Sequence, residues 1–185
     1  RVFGSSSDDI PNAIAASPDG SVYVVGKTDG SSLNGEVRAD GRSSSDGFLV
    51  KYDTSGTLVW TRLISSPHYS STDLAAGITV GSDGTIYVTG STVGALNGQP
   101  HVGSWDAFLT AYSPSGNLLW TRLIPSTGWD EGFGVTVTSN QTVNMFGSTQ
   151  SSIGGEAYLG KNDLFLANWN PKNLDLTSPT VSVSA

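Results

Sequence analysis

Six aspartates recur at fixed places in this chain, and carboxylates held at a constant spacing are the groups that bind calcium. Asp9, Asp73 and Asp130 each precede a short run of small and apolar residues, and Asp46, Asp106 and Asp163 each stand two residues before a phenylalanine. Calcium takes carboxylate oxygens together with loop carbonyls, so it is the one cofactor these residues bring into consideration. Neither set has the dense Asp/Asn alternation of a calcium loop. Asp40-Gly-Arg-Ser-Ser-Ser-Asp46 comes nearest. The other use of a short acidic side chain beside a turn is to accept backbone N–H groups and pin the loop, and the spacing favours that use.

Two loop tryptophans form a second candidate. Trp105 and Trp129 each occur in one copy of the pattern only, near His101 and beside Asp130 respectively. An exposed loop aromatic with polar neighbours stacks on a sugar or a partner surface; the alternative is a locally packed loop. Trp105, Trp129 and His101 are therefore the candidate ligand-binding residues. Arg62 and Arg122 each follow a recurring tryptophan by two residues and are expected to pair with the repeated aspartates.

Catalysis finds no support. The 2 histidines, His68 and His101, lie in separate loops without metal-ligand spacing. There is no Gly-x-Ser-x-Gly elbow, phosphate loop or Ser/His/Asp set. Asp8-Asp9 and Asp130-Glu131 are adjacent in sequence. On a strand they point to opposite faces, which does not make a glycosidase pair. No catalytic residue is expected.

Composition narrows the partners. The 185 residues hold 9 Lys+Arg against 16 Asp+Glu, a net charge of −7. Phosphate neutralisation needs clustered cations, so nucleic acid is not an expected partner. No apolar run approaches the length of a membrane helix, so membrane insertion is not expected either. With no cysteine, disulfides and thiolate sites are excluded. The 23 glycines and 14% charged residues are the composition of an all-β chain rich in turns.

The elements that must position these residues are written three times, about 60 residues apart. A first segment is small: Ala13–Ala16, Gly77–Val80, Gly134–Val137. A turn follows (Asp19-Gly20, Asp83-Gly84, Asn140-Gln141), then a second segment, Ser21–Gly26, Thr85–Gly90 or Thr142–Gly147. Asp-Gly between apolar runs marks a hairpin. Long polar loops share the cores Leu33-Asn-Gly35, Leu96-Asn-Gly98 and Ile153-Gly-Gly155, each read as one apolar plug. The third segment is Phe48–Tyr52, Phe108–Tyr112 or Phe165–Trp169, and the fourth is Leu58–Ile64 or Leu118–Ile124. Apolar residues sit on both faces of the second segment, so each sheet must be covered on both sides. A repeat of this size cannot bury its face alone and stacks on copies of itself.

The expected fold is therefore all-β, with β-propeller-type blades in three four-stranded antiparallel repeats of about 60 residues. A β-trefoil is the alternative. The pattern Asp-x-Phe-Leu-x-x-Tyr-x-x-x-Gly-x-Leu-x-Trp-Thr-Arg, then Asp, then Asp-Gly-x-x-Tyr-Val-x-Gly, resembles the SBBP β-propeller repeat of bacterial extracellular proteins. That resemblance, over roughly residues 1 to 170, implies a propeller and secretion, and it implies no catalytic residues. The third copy is decayed: Asn144 replaces the tyrosine and no Trp-Thr-Arg follows Pro171.

The expected domain spans 1–176, with blades at about 9–64, 73–124 and 130–176 and with 1–4 as a leftover or closure strand. Segment 177–185 is expected to be a linker or a strand given to a partner. Function is expected to be an extracellular or cell-surface, non-enzymatic structural or adhesion module that assembles through blade edges or termini, with itself or with further blades of the parent chain. The alternative is a lectin-like propeller taking a glycan or a surface protein on its rim loops.

Overall fold

A computed structural model describes residues 2–38, 45–67, 72–170 and 180–184, the last by backbone alone. Arg1, His68, Pro171 and most of the Asp40–Asp46 stretch lie outside the described residues. Strands β1 (Asp9–Ala16) and β2 (Val22–Thr28) are joined through Gly20, at φ 81°, whose N–H bonds the Ser17 carbonyl. Asp19 accepts the Ser21 N–H at 2.8 Å, the local bond that makes aspartate a turn former. The third copy keeps the same turn with Gln141 at φ 70°, a strained conformation for a side-chain-bearing residue.

The loop after β2 carries a two-residue hairpin, β3 (Ser32–Leu33) and β4 (Glu36–Val37). Asn34 and Gly35 both take positive φ there, the geometry that favours Asn-Gly in tight hairpins. Strands β5 (Asp46–Tyr52) and β6 (Leu58–Ile64) complete the first sheet, ordered β1-β2-β5-β6. The second sheet holds β7 (Asp73–Val80), β8 (Ile86–Thr92), β9 (Asp106–Tyr112) and β10 (Leu118–Ile124) in the same order. The third holds β11 (Asp130–Val137), β12 (Val143–Thr149), β13 (Asp163–Trp169) and β14 (Thr180–Ser184). All main-sheet pairings are antiparallel, and the described residues contain no helix, hence none long and apolar enough to cross a membrane.

The tail corrects an expectation. Thr180–Ser184 is neither linker nor donated strand: it pairs antiparallel with Leu164–Asn168 of its own chain and supplies the fourth strand. Its alternation of valine and hydroxyl residues has the period of a strand, but without Trp-Thr-Arg the repeat motif did not mark it. Residues 2–4 form no strand; Phe3 instead packs on Phe48 and Tyr52, at ring separations of 6.3 and 5.5 Å. The β-trefoil alternative also fails. Its barrel would pair strands of neighbouring repeats, whereas among the described residues every ladder lies within one repeat and only isolated bridges cross.

The sheets stack face to face, with β7 lying beside both β1 and β11. The small residues of these first strands permit the approach: a Cβ on Gly77 would stand 2.8 Å from the Phe133 carbonyl. Tyr23, Val25, Leu49 and Ile64 of the first sheet meet Ile86, Val88, Phe108 and Tyr112 of the second. Tyr87, Leu109 and Ile124 on the second sheet's other face meet Met145, Phe165 and Trp169 of the third. Leu33, Leu96 and Ile153 are buried among these clusters, which anchors each long loop by one apolar side chain while its flanks vary.

Candidate functional site

Antiparallel register brings all six aspartates to one end of the stack. In the first sheet Asp9 lies opposite Thr28, which lies opposite Asp46. The second repeats this as Asp73, Thr92 and Asp106, and the third as Asp130, Thr149 and Asp163. The threonine hydroxyl donates to the aspartate of the first strand at 2.6, 2.5 and 2.6 Å in turn. Ser5 donates its N–H and hydroxyl to Asp9, and Ser66 does so to Asp73. Ser126 stands in the same place beside Asp130. The first aspartate of each repeat thus ties its own second strand to the segment arriving from the preceding one.

Stacking then sets the two aspartate sets against each other. Asp46 lies close enough to Asp73, and Asp106 to Asp130, for each neighbour's charge to disfavour ionisation. The first junction is neutralised by Arg38, whose Nε is 2.6 Å from the Asp46 carboxylate with both side chains fully buried. Arg38 also reaches the Gly30 carbonyl at 3.2 Å. In the loop alignment Arg38, His101 and Tyr158 each stand five residues after the plug. The second junction therefore carries histidine where the first carries arginine. Asp106 accepts the Val102 N–H at 2.9 Å, while its Oδ1 and His101 Nε2 are buried without a hydrogen-bond partner. Asp163 accepts the Leu159 N–H at 2.6 Å.

Burial, chiefly, raises the Asp46 and Asp106 carboxyls to about 6, against Arg38 in one case and against the Val102 N–H and His101 in the other. Asp73 and Asp130 are also raised by burial, opposed by their threonine and serine donors. A group whose folded pKa lies above its unfolded value contributes stability below the unfolded value and loses it as pH rises through the folded one. For Asp106 that window runs from 3.8 to about 6. A shift of this size is worth about 3 kcal/mol. Asp106→Asn is accordingly expected to stabilise the chain at pH 8 by up to about 3 kcal/mol, and to lose that advantage near pH 4. Urea titrations of both proteins across this range measure it; a difference independent of pH contradicts the assignment.

The first-strand carboxylates act as hydrogen-bond pins. Hydroxyl and N–H donors already engage the first-strand set, and among the described residues no three of His, Cys, Asp and Glu gather to hold a metal.

Trp105 and Trp129 directly precede Asp106 and Asp130, and the stacking of the sheets joins them. Their backbones form a parallel bridge, and their rings stack at 5.2 Å with 15° between planes. The Asp130 N–H bonds the Trp105 carbonyl at 2.8 Å. Trp129 remains 39% exposed, so the pair presents an aromatic edge on the rim. The corresponding bridge at the first junction joins Ser45 and Thr72, so the aromatic pair is particular to one junction. His101 lies at this same junction, near Asp106 and at the loop position that Arg38 holds in the first repeat.

For Arg62 the expected pairing with a repeated aspartate is corrected. Arg62 bonds the Gly116 and Thr61 carbonyls at 2.8 and 2.6 Å and lies over Trp60, and Arg122 bonds the Thr121 carbonyl at 2.7 Å. Arg62 thus clamps the turn of the next sheet, joined by Trp60 Nε1 on the Pro114 carbonyl at 3.3 Å. Arg38, which meets the recurring Asp46, sits in a loop that the repeat leaves variable. The three threonines were also missed, although each follows its aspartate by 19 residues.

Residues 3–34 match the model of the SBBP beta-propeller repeat, the family that the repeated motif resembles. The regulatory protein FlaEY of Caulobacter vibrioides is 29% identical over 154 residues, covering 77% of this chain and 16% of that protein. The uncharacterized WD repeat-containing protein L264 of Acanthamoeba polyphaga mimivirus is 29% identical over 151 residues, covering 66% of this chain and 11% of its own length. The chain thus spans less than a fifth of either curated relative.

Proposed function

We propose that this chain is an extracellular, non-enzymatic structural or adhesion module of propeller blades, one blade per four-stranded sheet. The observation that carries the reading is the use to which its recurring polar side chains are put. The first-strand aspartates, the threonines, Arg62 and Trp60 bond within or between sheets, so the repeated residues form a framework and the variable loops form the surface. Loops set on a rigid scaffold are where recognition is placed. The match to a beta-propeller repeat and the likeness to a regulatory and a WD repeat-containing protein support a module of this kind. Beads coated with the folded chain are expected to be retained on bacterial or host cell surfaces, and the soluble chain to turn over no glycoside, ester or peptide substrate. Beads that adhere to nothing, or a measurable turnover, overturn the reading.

A second reading rests on the stacked tryptophans. A half-exposed indole pair on a rim is a platform for a sugar ring. Glycan binding on an array, lost in the Trp105→Ala/Trp129→Ala double variant, is the expected result; binding that survives the replacement sinks this version.

A further inference from the structure

The two junctions between sheets are built alike but closed differently. At the first, Asp46 accepts the Arg38 Nε–H at 2.6 Å on one oxygen and the Ser65 hydroxyl at 3.2 Å on the other. At the second, both donors are replaced. His101 stands at the loop position of Arg38, and Pro125, which follows Ile124 as Ser65 follows Ile64, has no hydroxyl to give. Asp106 is fully buried and accepts the Val102 N–H on Oδ2. Its Oδ1 has no hydrogen-bond partner, and neither has the buried His101 Nε2. The charges set against Asp106 are those of His101, from its own loop, and Asp130, from β11 of the next sheet. Asp130 Oδ2, beside Ser126, is also without a hydrogen-bond partner. The carboxyls further along the same sheets are engaged elsewhere, Asp73 by Ser66 and Thr92 and Asp163 by the Leu159 N–H.

This half-satisfied cluster adjoins the stacked tryptophans. Trp105 and Trp129 immediately precede Asp106 and Asp130, and the Asp130 N–H bonds the Trp105 carbonyl. A Cβ on Gly103 would stand 2.5 Å from the Ser126 carbonyl, so the two rim loops touch backbone to backbone. Any separation of Asp106 from Asp130 is therefore passed to the indoles. An ionised carboxylate buried without a counter-charge is costly, and here it faces a second one. A proton on His101 Nε2, donated to Asp106 Oδ1, supplies both missing bonds at once. We propose that His101 and Asp106 form a proton-gated clamp on the Trp105–Trp129 pair: holding a proton between them they close the junction and keep the indoles stacked, and releasing it to solvent loosens the stack. Histidine is the side chain that ordinarily changes charge between pH 5 and 8, and the half-buried His101 ring reaches solvent. Burial, chiefly, raises the Asp106 carboxyl to about 6, so its contribution to stability is present on the acid side and lost as pH rises through that value. The inference rests on the sugar-platform reading for what the indoles hold, though not for the clamp itself, and adds to that reading a control by pH.

Stacked indoles give an exciton couplet in circular dichroism, and the part of it lost in Trp129→Ala is the signal of this pair. The couplet is read on the full chain from pH 5 to pH 8, at a temperature below its thermal midpoint throughout. In the wild type it is expected to fall by about twofold or more across this range. In His101→Arg, which carries the first junction's cation, it is expected to hold, and likewise in Asp106→Asn, which has no charge to set against Asp130. Either variant serves if the other fails to fold. A wild-type couplet that does not change with pH overturns the proposal, as does a change that persists in the folded variants. Glycan-array binding at pH 5 and pH 8 separates the clamp from the platform. Binding that weakens at the higher pH in the wild type and holds in His101→Arg is the expected result. A pH-dependent couplet with no glycan bound at either pH supports the clamp and removes the platform reading. Glycan bound equally at both pH values by a chain whose couplet is constant keeps the platform and overturns the clamp.

Discussion

Gly90→Ala is expected to prevent the chain from folding. A Cβ at this position would lie 1.7 Å from the Leu74 carbonyl oxygen and 2.9 Å from the Phe108 ring. The first contact is backbone, so no rotamer change relieves it. The same arrangement occurs at Gly26, under the Ile10 carbonyl and the Phe48 ring, and at Gly147, under the Glu131 carbonyl and the Phe165 ring. In each repeat the first strand bulges two to three residues after its aspartate. There a first-strand carbonyl presses onto the second strand, and the phenylalanine of the third strand closes on the same Cβ position. Forcing these strands apart opens the sheet at the point where it packs on its neighbours. The cost is expected to exceed about 4 kcal/mol, a large part of the roughly 5–15 kcal/mol that holds a domain together. Gly98→Ala is the informative contrast. Nothing lies within 4 Å of its Cβ position, so only its φ of 79° is penalised, at about 1–2 kcal/mol. Circular dichroism with urea titration separates the two. A Gly90→Ala protein that folds with less than about 2 kcal/mol of loss would mean that the bulge carbonyl is free to move.

The second large effect is expected from Arg38→Met. The substitution leaves the apolar stem roughly in place and removes the cation bonded to Asp46, which is fully buried and faces Asp73. Removing one partner of a buried ion pair costs about 3–5 kcal/mol, because the remaining charge loses its compensation. The Asp46 carboxyl, already raised to about 6 by burial, is expected to rise further. The Arg38→Met chain therefore loses most stability above that pH and recovers part of it on acidification. Adding Asp46→Asn to Arg38→Met removes the uncompensated charge and is expected to restore more than half of the loss. Urea unfolding of the wild type, both single variants and the double variant completes the cycle. Additive losses would show that Arg38 acts through packing rather than through Asp46. The second junction, with His101 at the arginine's place, is a natural counterpart. There the corresponding carboxylate accepts a backbone N–H and has a histidine nearby rather than bonded to it, and the Asp106→Asn titration reads the consequence.

Much of this architecture was legible because each repeat states it three times. The Asp-Gly turns, the period-two apolar runs and the Leu-Asn-Gly plugs are local features. Their causes, turn dihedrals and strand alternation, act within a few residues, so three agreeing copies place the strands and their order in each sheet. The fourth strand of the third sheet was not legible, because Thr180–Ser184 carries none of the Trp-Thr-Arg motif; its backbone pairs with β13. Arg62 was read as a partner of aspartate because opposite charges recur together. The sheet stacking sets it against a turn carbonyl instead.

The aspartates mark the boundary between the two kinds of knowledge. Their recurrence at strand starts is a property of the sequence alone, and it favoured a role in pinning the turns of each repeat over a calcium site. Their convergence is not. Antiparallel register carries both sets to one end, stacking sets Asp46 against Asp73 and Asp106 against Asp130, and the variable loops supply an arginine at one junction and a histidine at the other. Trp105 and Trp129, 24 residues apart in sequence, become one stacked pair by the same operation. Strand identity is decided by short-range dihedral and patterning preferences that a sequence displays directly. Which charges share a dry junction, and which apolar faces stay uncovered, depends on how whole sheets pack, and only the tertiary structure decided it.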